Sequence, residues 1–132
     1  MPAEPVWLSL DAVVAINRAE VAKTGERHEV IDRAALDIAV KRPWNVWVYF
    51  MDRDFATLAM SLMVAVSGAR AFAAGNEATA YRAAVALVEA NGLVVDFGGN
   101  PRAEEQLHEY FRGRLSQSGV REWFQMWMTS IS

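Results

Sequence analysis

The sequence predicts an all-α protein, a compact bundle of about six helices carrying one short extended flap. Apolar residues recur at helical spacing in several separate segments, most clearly at Phe55, Leu58, Ala59, Leu62, Met63 and Val66, and again at Val120, Trp123, Phe124, Trp127, Met128 and Ile131. Capping and terminating residues bracket these segments. β-branched and aromatic residues crowd into a single longer run, Trp44 to Met51, with only Leu93–Val95 beside it.

In chain order, Ser9 caps a first helix with Asp11 in its first turn, where negative charge is favoured. Leu10, Val13, Val14 and Val21 share a face of that helix, and Thr24-Gly25 ends it. Gly25 to Glu29 reads as a polar connection in which His28 is solvated and has no role. Asp32 caps a second helix with Ala35, Leu36 and Ala39 along one side, and Pro43 requires it to finish by Arg42. Trp44 to Met51 then favours an extended conformation or a packed loop.

Asp52 or Asp54 opens the third helix, which is apolar nearly all round because Met60, Val64 and Ala65 occupy its other faces; such a helix belongs in the middle of a bundle. A fourth runs from Asn76 or Glu77 to Ala90, rich in alanine at 78, 80, 83, 84, 86 and 90, and Asn91-Gly92 supplies its left-handed end. Leu93–Val95 is extended and Gly98-Gly99-Asn100 is a turn. Asn100 and Pro101 start a fifth helix, whose apolar stripe is Leu107, Tyr110, Phe111 and Leu115. His108 lies off that stripe with no second ligand at metal spacing. The helix after Ser118-Gly119, through Ile131, either closes the core or presents an aromatic docking face.

At 132 residues the chain makes one domain with a real core. Hydrophobic residues form 53%, with five Trp, a surplus that fits a thick core or an apolar surface kept for a partner. A net charge of −3 without a basic run gives no electrostatic case for nucleic acid. With no Cys, disulfides, thiolate metal sites and Cys nucleophiles are all excluded. The opening MPAEPVWLSL lacks the pattern of a signal peptide, and no apolar run reaches the roughly 18 residues of a membrane span. A cytoplasmic protein without a membrane partner is expected.

The stretch Arg70 to Ala80 (RAFAAGNEATA) carries the functional reading. Gly75-Asn76 looks like a tight turn feeding a helix, whose unpaired backbone N–H groups and dipole suit an anion. An ordinary capped loop would look the same. The run resembles the signature of the Fic/Doc family, which includes the death-on-curing toxins: His-x-Phe-x-(Asp/Glu)-(Gly/Ala)-Asn-(Gly/Lys)-Arg-Thr-Ala. Phe72, Gly75, Asn76, Thr79 and Ala80 match in register. AVALVEANG (84–92), IDRAALDIAVKRP (31–43) and DFATLA (54–59) resemble neighbouring family helices, so the likeness spans roughly residues 6 to 115.

In the family, the His removes a proton from a protein hydroxyl, the acid positions Mg²⁺, and the helix start with its Arg neutralises phosphate charge. Here Arg70 stands at the His, Ala74 at the acid, Glu77 at the Gly/Lys and Ala78 at the Arg. A guanidinium cannot act as general base, and an alanine offers a hard cation no oxygen. The resemblance therefore implies a degenerate protein, a pseudoenzyme in a toxin–antitoxin context, with no catalytic residue assigned and neither cofactor nor metal. It would bind an antitoxin-like protein, a paralogue or the family's target; a homodimer stays open. Arg70, Gly75, Asn76, Glu77 and Thr79 are the candidate anion-binding residues, and Trp44, Trp47 and Tyr49, on the flap, the candidate partner contacts. The alternative is an active nucleotidyl- or phosphotransferase toxin using non-family residues, with Glu77 as base.

Overall fold

A computed structural model describes residues 3–96, 100 and 102–130. Among them lie seven α-helices: α1 (Leu10–Thr24), α2 (Arg33–Val40), α3 (Arg42–Tyr49), α4 (Phe55–Ala69), α5 (Asn76–Ala90), α6 (Arg102–His108) and α7 (Gln117–Trp127). A 3₁₀ turn, Glu109–Arg112, continues α6, and two short strands, β1 (Leu93–Val95) and β2 (Met128–Ser130), pair antiparallel. The all-α class is therefore as the sequence predicts.

Side-chain caps set most of the helix starts. Ser9, Asp32, Asp54 and Ser116 each accept a backbone N–H from the first turn of α1, α2, α4 and α7. Asn100 does the same for the Arg102 N–H at 3.0 Å, while Pro101, Gly98 and Gly99 lie outside the described residues. Gly25 and Gly92, at φ 73° and 83°, supply left-handed turns where α1 and α5 end. The α4–α5 pair forms the centre: Leu58, Leu62, Met63 and Val66 of α4 and Ala80, Ala83, Ala84, Leu87 and Val88 of α5 are buried. Small side chains on α5 let the neighbouring backbones approach closely. Helices α1, α2, α3 and α7 pack around this pair.

Two expectations are corrected. Trp44–Met51 is no extended flap: Trp44 to Tyr49 belong to α3. Pro43 ends nothing beyond α2, because it sits in the first turn of α3, where a missing N–H costs no hydrogen bond. Pro43, Val46, Trp47 and Phe50 also recur at helical spacing, and burial of Pro43 and Val46 outweighs the β preference of the aromatics. The second correction concerns α7, which stops at Trp127. Met128 turns extended (φ −86°, ψ 140°), and Met128–Ser130 pairs with the open edge of Leu93–Val95. Ile131 lies outside the described residues.

Tyr81 marks where α5 meets the C-terminal elements. It is 4% exposed, edge-on to Trp123 at 6.4 Å and tilted against His108 at 5.4 Å. Burial, reinforced by the Glu104 carboxylate, pushes its phenol up to about 12 from 10.0. The folded value lies above the unfolded one, so this stabilisation is complete below pH 10 and disappears as pH rises through 12. Urea titrations from pH 9 to 12 should show the wild type losing about 2 kcal/mol more than Tyr81→Phe.

Candidate functional site

The motif loop begins where α4 ends. Arg70 terminates α4 in the left-handed conformation (φ 47°), which is costly for a residue with a Cβ, and it is exposed. Ala71 and Phe72 then turn inward and are buried. Backbone pairing fixes them against the α1–α2 connection: Ile31 and Asp32 N–H donate to the Ala71 carbonyl at 2.8 and 3.2 Å, and Ala73 N–H donates to Glu29 at 3.0 Å. Phe72 thus sits in an antiparallel bridge with Val30.

Asn76 closes the loop on itself. Its Nδ2 donates to the Phe72 carbonyl at 2.9 Å and its Oδ1 accepts the Phe72 N–H at 3.0 Å. Asn91 holds the N-terminal segment the same way, bonding both the N–H and the carbonyl of Val6. Both ends of the Asn76 amide are therefore engaged within the protein.

Beneath the loop lies a polar core that the sequence reading missed. Asn17, from the middle of α1, is fully buried. Its Nδ2 donates to the Ala74 carbonyl at 2.9 Å and to the Thr79 hydroxyl at 3.0 Å, while its Oδ1 contacts His28 Nδ1 at 2.8 Å. Because Oδ1 can only accept, Nδ1 of His28 carries the hydrogen. The expectation that His28 is simply solvated is corrected: the ring is half-buried, hydrogen-bonded and 6.5 Å from the Phe72 ring. The signal was present in the sequence, since Asn17 lies one turn from both Val13 and Val21 on the buried face of α1.

Gly75 joins loop to helix at φ 74°, and its carbonyl accepts the Thr79 N–H at 2.9 Å. A Cβ there would stand 2.9 Å from Val21 Cγ1 and 3.3 Å from Asn17 Nδ2. Gly75→Ala is expected to lose about 2 kcal/mol in chemical denaturation, combining left-handed strain with overpacking against α1.

The candidate anion residues are thus contiguous but unequal. Arg70 and Glu77 are exposed, Gly75 and Asn76 shape the backbone, and Thr79 is fully buried under Asn17. An anion at the start of α5 would meet the backbone amides of that helix's first turn. The Mg²⁺ of the family is not matched by this donor set: Ala74 has no side-chain oxygen, and its carbonyl already accepts from Asn17. No group of three or more His, Asp or Glu among the described residues could hold a metal ion. No described helix is long and apolar enough to cross a membrane.

The candidate partner residues fall on α3. Trp44 and Tyr49 meet edge-on at 6.0 Å; Trp47 packs edge-on against Trp7 at 6.1 Å, under the Arg53 guanidinium at 3.9 Å. Beyond them Tyr49, Phe50 and Met51 project into solvent, and Met51 is left-handed at φ 54°. Two clefts adjoin this end and share Arg42 and Ala65. One, about 450 Å³, lies between Arg42, Val46 and Phe50 and the α4 residues Thr57, Met60 and Val64, with the Asp52 carboxylate also in its lining. The other, about 310 Å³, is formed by Ala35, Ile38 and Ala39 of α2 against Ala65 and Ala69. Together they make one trough along α4 from Thr57 to Ala69, about 18 Å at 1.5 Å per residue. Among the described residues, Arg42, which lines both clefts and lies over the Phe50 ring at 5.5 Å, has no carboxylate within ion-pair distance; nor does Arg70, which lines neither.

Compared with models of protein families and with curated proteins, the chain has no match.

Proposed function

We propose that this chain is a Fic/Doc-like protein that has lost phosphate-transfer chemistry and acts by binding a protein partner. The occupant we assign to the α4 trough is an amphipathic helix bearing carboxylates. The single observation that supports this reading most is the trough itself: an apolar α2–α4 end, a mixed apolar and polar α3–α4 end, a length suited to about three helical turns, and one lining guanidinium, Arg42, with no carboxylate at ion-pair distance among the described residues. Ile38, 72% exposed in the lining of one cleft, and Phe50, 66% exposed in the lining of the other, add apolar surface along this face. Arg70 would take a partner carboxylate in a forked hydrogen bond.

Three measurements test the reading. Titration with ATP and Mg²⁺ should give no metal-dependent binding in the micromolar range, and incubation with radiolabelled ATP and a lysate should label no protein. A labelled band would instead favour an active transferase. On the binding side, Ile38→Glu with Arg42→Glu should fold normally, since both side chains are exposed. Partner cross-links that map to α2–α4 in the wild type should fall at least about tenfold in this variant. Cross-links unchanged by the substitutions would place the partner elsewhere.

A further inference from the structure

We propose that a second cleft, between the 3₁₀ turn and α7, binds an amphiphilic organic cation, an alkyl chain ending in an ammonium group. The cleft, about 390 Å³, shares no lining residue with the trough along α4. Its apolar lining comes from Leu115, Trp123, Met126 and Trp127. The Trp123 indole is fixed in orientation, because its Nε1 donates to the Ala103 carbonyl at 2.5 Å. Trp127 is half-buried, and Met126, 72% exposed, forms a lip of adaptable, polarisable surface.

Charge decides the class of ligand. Two carboxylates and one guanidinium line the cleft, Glu109, Glu122 and Arg114; Glu109 is already matched, holding Arg112 at 2.6 Å and Arg114 at 3.5 Å, which also occupies that guanidinium. Glu122 on the other wall has no ion-pair partner among the described residues. A cation seated there would meet that carboxylate together with the indoles of the lining, while its chain covers Leu115 and Met126. A carboxylate-headed molecule of the same length would meet Glu122 as a like charge.

Hexyltrimethylammonium is the probe, with hexanoate and hexan-1-ol as matched comparators. Titration is followed by tryptophan fluorescence and by the methyl resonance of Met126 in methyl-labelled protein. Saturable binding of the ammonium compound, at least about fivefold tighter than either comparator and shifting the Met126 methyl, is the expected result. Glu122→Gln should weaken it about threefold while leaving hexan-1-ol unchanged, and Trp127→Leu should weaken the ammonium compound about fivefold, more than it weakens hexan-1-ol. Equal affinity for all three probes, no saturable binding, or ammonium affinity unaffected by both substitutions would overturn the assignment.

Discussion

Replacing Asn17 by alanine is expected to lower the melting temperature by about 10 °C, corresponding to about 3 kcal/mol in a domain of this size. The side chain is fully buried and bridges four segments: α1, the His28 connection, the motif loop at Ala74, and α5 at Thr79. Truncation leaves the Ala74 carbonyl, the Thr79 hydroxyl and the His28 Nδ1–H without that partner in a site closed to solvent at Thr79. An unsatisfied buried polar group costs about 1–3 kcal/mol, so the sum exceeds what any one bond would suggest. Asn17→Asp should be no better, although it preserves shape, because a carboxylate cannot donate to the Ala74 carbonyl and would bury a charge. Thr79→Val removes one partner and should cost about 1 kcal/mol. Thermal unfolding of Asn17→Ala, Thr79→Val and the double variant should be non-additive, since the two side chains share a hydrogen bond. Full additivity would mean that the network does not act as a unit.

The contrast between Asn17 and Asn76 shows what the sequence exposes of the site and what it hides. Asn76 stands in a recognisable motif at a turn, so its place at a helix start is legible, and α5 begins at that residue. Its bonding is not legible: nothing in the local pattern says that the amide turns back to both polar groups of Phe72 rather than outward. Asn17 could have been flagged as a polar residue on a buried stripe, but two of its three partners lie 57 and 62 residues away and the third 11, and all require the folded arrangement. Caps were readable because a cap is a local hydrogen bond, as at Ser9, Asp32 and Asp54. The Trp44–Met51 error has the opposite origin. Local preference favoured a strand, whereas the buried stripe from Pro43 to Val46 that packs on the bundle decides for a helix. Likewise the end of α7 depends on β1, a strand more than thirty residues earlier in the chain, offering an edge to Met128–Ser130.

On the proposed Fic/Doc-like reading, installing the residues of that signature should create or strengthen nucleotide binding. In a single protein carrying Arg70→His, Ala74→Asp, Glu77→Lys and Ala78→Arg, affinity for ATP with Mg²⁺ is expected to rise by about two orders of magnitude, measured by isothermal titration. The substitutions suit the fold. Arg70 and Glu77 are exposed, and Ala74 and Ala78 are half-exposed, so none of the four enters the core. Histidine tolerates the left-handed backbone of position 70 better than most side chains. Phe72, Gly75, Asn76 and Thr79, which fix the loop, remain untouched. Glu77→Lys and Ala78→Arg together change the charge at the start of α5 by three units toward positive, where the helix dipole already favours phosphate. Ala74→Asp supplies the oxygen ligand a hard cation needs. Single substitutions serve as the internal comparison: Ala78→Arg alone should recover part of the affinity without metal dependence, whereas Ala74→Asp alone should recover none, since it adds negative charge beside Glu77. A folded quadruple variant that still ignores ATP would mean that the loop does not have the shape the resemblance implies, and the Fic/Doc-like reading would fail with it.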